Sequence, residues 1–417
     1  MNLKPETTNY NLLSRAADEF GTPLYVYSAD AIRERAAALK TALAPLNPHI
    51  HFSVKANSNR AILQLIHRLG FGFDVVSGGE LARLQAAGIP TGDVSFAGTG
   101  KTVPEIRRAL AANIAYFTVE SAGELRRIAA LAAETGKPAR AVLRLNPNVD
   151  AHTHKFITTG HAENKFGMDF ETAANLWRQF RDHPAVKIEG IHLHIGSQVR
   201  QIQPYIEAAQ KGLDFIAARR AEGLTVRRFD MGGGFGIGYQ GEPDFPPAEL
   251  AAALRPLFSG QSLELIFEPG RWLVAPAGVL LMTVQYIKKS GRKTFVITDA
   301  GMHTMIRPAL YGGQHRIEPL NPPPADAEPI VCDVVGPICE STDFLAQDRL
   351  LPPVQPGDVL ALLDAGAYGM VMASNYNSHP RSAEVLLDGD RVRLVRRRES
   401  LEDLWALEIT DVVQSSI

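Results

Sequence analysis

The sequence predicts a TIM-type, eight-stranded α/β barrel over residues 28–275. A mostly antiparallel β-sandwich or β-barrel domain follows over 276–417, to which residues 1–27 contribute. Three observations carry this. Short apolar strands recur between residues 50 and 270, with helical stretches such as 103–112, 121–135 and 204–222 between them. Such alternation implies parallel strands joined by crossover helices, and eight units close a barrel of about 240 residues. A polar or glycine-rich cluster follows nearly every strand, and barrel chemistry sits at the C-terminal strand ends. After Pro276 the pattern changes to short strands separated by turn signals.

The elements run in order. The first strand, 50–54, leads into Lys55-Ala56-Asn57, and the second, 71–76, contains Asp74 and runs into Ser77-Gly78-Gly79-Glu80. The third and fourth, 94–97 and 114–119, end at Gly98 and Glu120. The fifth, 141–145, carries Arg144; the sixth, 188–195, carries His192 and His194 before Gly196-Ser197. The seventh, 229–231, opens into Gly232-Gly233-Gly234, and the eighth, 263–267, into Glu268-Pro269-Gly270-Arg271. Beyond the barrel, 279–287, 294–298, 330–335, 359–363, 383–387 and 392–395 read as strands, with a hairpin tip at 387–390. Residues 22–27 are strand-like and are expected to join the C-terminal sheet.

Composition narrows the function. A chain of 417 residues, 45% hydrophobic and 21% charged, supports two sizeable cores. A net charge of −2 implies no nucleic-acid partner. Arg396-Arg397-Arg398 reads as a solvated strand end. Two cysteines, Cys332 and Cys339, argue for a reducing compartment and against a disulfide framework or a four-ligand zinc site. The N-terminus lacks an apolar signal core, and the apolar stretch 272–287 is broken by Pro276 and too short to span a bilayer. A soluble cytoplasmic protein is expected.

Each chemical candidate has a bland counterpart. Lys55 at a barrel mouth suits Schiff-base chemistry when desolvated, or merely snorkels from a strand end. The run 232–236 wraps a phosphate with bare backbone amides, or makes a tight turn. A buried Glu268 needs a cationic partner, either Arg271 or a protonated pyridine nitrogen. His192 and His194 alternate on one strand and point the same way. Without an accompanying ligand set they suggest no metal; one stacks on a flat cofactor and the other is a core histidine. Cys339 beside Glu340 is a small buried hydrophobe or a proton donor, since a carboxylate raises a thiol pKa. Tyr368 sits among small residues at 364–369 and is either a ligand contact or a packed aromatic.

In order, the motifs at 53–57, 74–80, 192–197, 232–236, 268–271, 339–341 and 366–369 resemble the alanine-racemase-type, fold-type III family of pyridoxal-phosphate-dependent decarboxylases. The diaminopimelate decarboxylase branch is the nearest likeness. His152-Thr153-His154, the segment 163–167 and the segment 372–377 share it. Thr342 and His379 depart from the family, which more often has glycine and arginine there. The resemblance implies that pyridoxal 5'-phosphate is carried by Lys55, stacked on by His194, and held at its ring nitrogen by Glu268. It implies phosphate contacts from Ser197, Gly233, Gly234 and Tyr368, with Asp74, Gly270 and Arg271 also lining the cofactor. Arg271, Arg307, Tyr311, Glu340 and Tyr368 would bind an amino-acid substrate, and Asp74, Glu80 and Arg144 would support the site. Cys339 and Glu340 would come from the partner of a homodimer with shared sites. The implied reaction converts meso-2,6-diaminopimelate to L-lysine and carbon dioxide, the last step of lysine biosynthesis. Decarboxylases of ornithine, arginine or carboxynorspermidine, a racemase, or a non-enzymatic cofactor carrier are the competing readings.

Overall fold

The computed structural model describes residues 10–150, 165–324 and 326–409. His152-Thr153-His154 and Glu163-Asn164 of the motifs above lie outside them. The chain divides into two compact units, Ile32–Val274 and Met1–Ala31 with Ala275–Ile417. No helix among the described residues is long and apolar enough to cross a membrane.

In chain order, β1 (Leu24–Ser28) belongs to the second of these units and the next eight strands to the first. These are β2 (His49–Ser53), β3 (Gly72–Val75), β4 (Val94–Phe96), β5 (Tyr116–Val119), β6 (Ala139–Leu145), β7 (Val186–Leu193), β8 (Arg228–Asp230) and β9 (Glu264–Phe267). They close a barrel in sequence order, with β9 pairing β2, and every neighbouring pair is parallel. Helices start where side chains accept from otherwise unpaired amides. Asn59 accepts from Ala61, Ser77 from Glu80, Ser121 from Glu124 and Asp169 from Thr172.

Alternation along the barrel strands sorts the side chains. Phe52, Phe73, Phe96, Phe117, Leu143, Ile191, Phe229 and Phe267 are buried at one set of positions. At the alternate set stand His51, Ser53, Asp74, Ser95, Tyr116, Arg144, His192 and Asp230, which are also buried. Contacts among these polar residues span several strands, so they share the lumen. The barrel interior is therefore a polar network, not an apolar plug.

Some boundaries differ from the sequence reading. β2 stops at Ser53, and Val54–Ala56 forms a 3₁₀ turn, so Lys55 sits on that turn and not at the strand end. β7 stops at Leu193, which puts His194 just past the strand. A helix, Tyr10–Phe20, was not anticipated. Its Leu12, Leu13 and Ala16 pack with Leu24, Val26, Leu281 and Val385 in the core of the C-terminal unit.

That unit holds β10 (Gly278–Ser290), β11 (Lys293–Thr298), β12 (Ile317–Pro319), β13 (Ile330–Val335), β14 (Phe344–Leu351), β15 (Val359–Leu362), β16 (Ala383–Asp388) and β17 (Arg391–Arg396). With β1 they form a sheet of order β14-β13-β11-β10-β1-β16-β17, and β15 joins β10 and β12. Most pairs are antiparallel; β1–β16 and β11–β13 are parallel. Gly389 with φ of 58° sits in the two-residue turn between Asp388 and Arg391, as its hairpin motif requires. β14 carries polar Gln347 and Asp348 and an irregular register against β13, which hid it in the sequence. Arg398 is not a solvated strand end. Its guanidinium donates to the carbonyls of Gly21 at 3.0 Å and Pro23 at 2.9 Å, just before β1.

Candidate active site

Lys55 and Asp74 meet at the C-terminal ends of β2 and β3, with Lys55 Nζ 3.0 Å from Asp74 Oδ2. Ser53 Oγ lies 3.1 Å from the same oxygen and 3.0 Å from the Glu268 carbonyl. Burial pushes the Asp74 pKa up, but the Lys55 ammonium and the two hydrogen bonds outweigh it and hold Asp74 below its ordinary value. Asp74 is thus a fixed anion that holds the Lys55 amine in place. Lys55 itself keeps 37% side-chain exposure, open at the barrel mouth. Gly270 makes this turn possible, because a Cβ there would come within 2.9 Å of the Ala56 Cβ.

Glu268 stands at the end of β9. Its Oε2 is 3.0 Å from His192 Nε2, so His192 and not Arg271 is its partner. Its Oε1 is buried with no partner among the described residues, as are Asp74 Oδ1 and His192 Nδ1. Burial, with Asp74 nearby, pushes the Glu268 pKa up to about 7. An unpartnered buried carboxylate oxygen fits a protonated ring nitrogen, which would satisfy the atom and favour the anion. His192, Asp230 and Glu268 each bring one donor atom within 4.8 Å of the others. Asp230 accepts from Tyr116 at 2.8 Å and from the Gly232 amide at 2.9 Å, so both of its oxygens are hydrogen-bonded.

A folded-state pKa raised from 4.5 to about 7 means that Glu268 holds its proton more tightly folded than unfolded. Its contribution to stability is full below the unfolded pKa and is lost as pH rises through the folded one. Cofactor-free protein should therefore lose melting temperature between about pH 5 and about pH 8, and Glu268→Gln should flatten that loss. Parallel melting curves for the two proteins would refute it.

His194 accepts from the Gly233 amide at 3.2 Å through Nδ1. Burial, with Arg144 and Lys55 close by, holds its pKa well below the ordinary value, so the ring is a neutral flat surface. Its plane lies 21° from that of His192, with 6.5 Å between centroids. The glycine run is demanded by close backbone approach. A Cβ on Gly233 would lie 2.1 Å from the Glu268 carbonyl oxygen, and one on Gly234 2.3 Å from that of Gly196. The Gly233 amide is turned toward His194, a contact the sequence did not foretell. Arg271 bridges Ser197 Oγ at 3.1 Å and the Tyr239 hydroxyl at 2.7 Å. Tyr239 carried no sequence signal. Around this centre, Glu80 accepts from the Val76 amide at 2.7 Å, and Arg144 pairs with Glu120 at 2.8 Å. Glu120, left as a strand end by the sequence, also accepts from the Gly167 amide at 2.7 Å.

The barrel unit thus brings together Lys55, Asp74, His194, Ser197, Gly233, Gly234, Glu268, Gly270 and Arg271. The remaining candidates lie in the C-terminal unit. Arg307 is buried, with Nη1 2.6 Å from His315 Nε2. His315 Nδ1 donates to the Leu363 carbonyl at 2.7 Å, which leaves Nε2 as the acceptor. Glu318 lies 4.0 Å from Arg316. Tyr311 and Tyr368 are half-buried, and Tyr368 has φ of 56°. Cys339 is exposed, contrary to the buried-hydrophobe reading, and its amide donates to Asn377 at 2.8 Å. Glu340 accepts from Thr342 at 2.5 Å and Tyr376 at 2.7 Å, and these hydrogen bonds hold its carboxyl below the ordinary range.

A lysine and a neutral histidine at the mouth of a parallel barrel, with a buried carboxylate below them, define a class: a barrel enzyme of pyridoxal-phosphate chemistry. The family model for the pyridoxal-binding domain of pyridoxal-dependent decarboxylases matches residues 29–275. Diaminopimelate decarboxylases of Vibrio cholerae and Neisseria meningitidis serogroup A are each 46% identical over 95% of this chain, covering 94% and 97% of those proteins. The crystal structure of diaminopimelate decarboxylase from Helicobacter pylori, complexed with L-lysine, superposes with a TM-score of 0.90 at 41% identity, covering 96% of this chain and 99% of that one. The chain belongs to the diaminopimelate decarboxylase family of pyridoxal-dependent decarboxylases.

Proposed function

We propose that this chain is a carboxy-lyase that converts meso-2,6-diaminopimelate to L-lysine and carbon dioxide with pyridoxal 5'-phosphate. The observation that carries it is the Lys55–Asp74 pair beside a buried Glu268 with an unpartnered oxygen, in a chain 46% identical to diaminopimelate decarboxylases over nearly its whole length. Bound pyridoxal phosphate supplies an electron sink for the carbanion left when carbon dioxide departs. Lys55 carries the cofactor, with Asp74 holding its amine in place. Glu268 offers its free oxygen to the ring nitrogen, and a carboxylate there favours the protonated form. His194 gives a neutral face to stack against. Ser197, the backbone at Gly233 and Gly234, and Tyr368 grip the phosphate, with Arg271 anchored beside Ser197.

Cys339 returns a proton to carbon. It does so from the partner subunit of a homodimer. Its exposure on the single chain supports this, as do the exposed Val331 and Leu350 that pair in register across β13 and β14. Two unpaired cysteines fit a cytoplasmic location.

Substrate choice rests on the far end of the substrate, which carries both an ammonium and a carboxylate. Glu340, held anionic, suits the ammonium. Arg271 and Arg307, with Tyr311, suit the carboxylate, because a guanidinium fork binds both its oxygens. Arg307 is buried, with Nη1 2.6 Å from His315 Nε2. Wild-type kcat/KM for meso-diaminopimelate should exceed that for L-lysine by about a hundredfold, or about 2.7 kcal/mol. Arg307→Ala should lose most of that discrimination while keeping the cofactor. Equal efficiency on both substrates in the wild type would refute the assignment.

A further inference from the structure

Glu268 is the inner end of a file of buried polar side chains that runs along the barrel lumen. At the outer end Asp93 precedes β4, with 62% side-chain exposure, and its Oδ1 lies 3.1 Å from His51 Nε2. His51 Nδ1 is 3.3 Å from Ser95 Oγ. The Ser95 hydroxyl donates to the Phe73 carbonyl at 3.4 Å, and it lies close enough to the Tyr116 hydroxyl to rotate onto it. Tyr116 donates to Asp230 Oδ2 at 2.8 Å. Asp230 reaches within 4.8 Å of Glu268 and His192. His51, Ser95, Tyr116, Asp230 and Glu268 are all at least nine-tenths buried.

None of these contacts is needed to close the barrel, whose strands are already fully paired. Apolar side chains would fill the same lumen at lower desolvation cost. From His51 Nδ1 inward, the donors can share one direction. With His51 doubly protonated, Nε2–H faces Asp93 and Nδ1–H faces Ser95; Ser95 then donates to Tyr116, and Tyr116 to Asp230. His51 supports this: burial lowers its pKa, but Asp93 outweighs burial and raises it above the ordinary value. Charged groups facing the inner end are Lys55, Asp74, His51 and His192, with Arg144 and Glu120 beyond His192.

We infer that His51, Ser95, Tyr116 and Asp230 form a proton relay connecting solvent at the N-terminal end of the barrel to Glu268. It rests on the reading that Glu268 serves the cofactor ring nitrogen. Its use would be to let the Glu268–Asp230 pair exchange protons while cofactor and substrate fill the barrel mouth. These are positioning residues, since they reach the cofactor only through Glu268.

The test is a pH jump on protein loaded with pyridoxal phosphate. The signal is the infrared carboxyl stretch that vanishes in Glu268→Gln. Tyr116→Phe keeps the ring and removes the relay hydroxyl. Relaxation of that band should slow roughly a hundredfold, the lower end of what a positioned proton donor contributes. Ser95→Ala breaks the chain one link earlier without touching an aromatic and should slow it too. It serves as the reading variant if Tyr116→Phe does not fold. Wild-type relaxation in either folded variant would overturn the relay. A cofactor absorption spectrum unchanged by Glu268→Gln would instead overturn the assignment of Glu268, and the two failures are distinct.

Discussion

Lys55→Ala should abolish the visible absorption of lysine-bound cofactor, leave nothing for borohydride to trap, and lower turnover by about four orders of magnitude or more, the scale of removing a covalent catalytic group. Geometry gives the reason. Lys55 is the amine at the barrel mouth that Asp74 holds at 3.0 Å, next to His194 and Glu268. Lys101, a buried lysine of the barrel, cannot substitute. Its Nζ is locked by Glu124 at 2.6 Å and by the carbonyls of Gly98 and Thr118 at 2.8 Å. Removing Lys55 also leaves Asp74 as a buried anion without its cation, so some loss of stability should accompany the loss of activity. A mutant that still forms a reducible adduct at another lysine would defeat the assignment.

The second large effect concerns Cys339. Cys339→Ala should retain cofactor and lose about a hundredfold to ten-thousandfold in turnover, the range for a positioned proton donor. The thiol is exposed on a loop that Asn377 pins at the Cys339 amide and Asp343 at the Ile338 amide, the latter at 2.6 Å. A presented, unburied thiol suits a site completed by a second copy of the chain. Mixing Lys55→Ala and Cys339→Ala subunits tests this. A mixed dimer has one site with both groups intact, so a random mixture should recover about a quarter of wild-type activity. No recovery after verified subunit exchange would exclude a shared site.

The outline of the barrel was legible because its strands are short apolar runs and its helices carry caps such as Ser77 and Ser121. Reactive residues at strand ends followed from the position of Lys55 and Glu268 in those runs. The lumen was not legible. His51, Tyr116 and Asp230 alternate with phenylalanines, and in a single sequence a polar residue facing a barrel interior looks like one facing water. Nor could periodicity show that the Gly233 amide would meet His194, that Tyr239 would hold Arg271, or that Arg307 would lean on His315. Each of these depends on contacts between distant segments or on loop geometry. The glycine run had two explanations in sequence, and close approach to the Glu268 and Gly196 carbonyls accounts for Gly233 and Gly234 without any ligand.

The most direct test of the account is product analysis. Purified protein with pyridoxal phosphate and meso-2,6-diaminopimelate should release carbon dioxide and L-lysine in equal amounts, with far less carbon dioxide from ornithine, arginine or lysine. Carbon dioxide released chiefly from one of those three, or none from diaminopimelate by protein shown to hold its cofactor on Lys55, would contradict it.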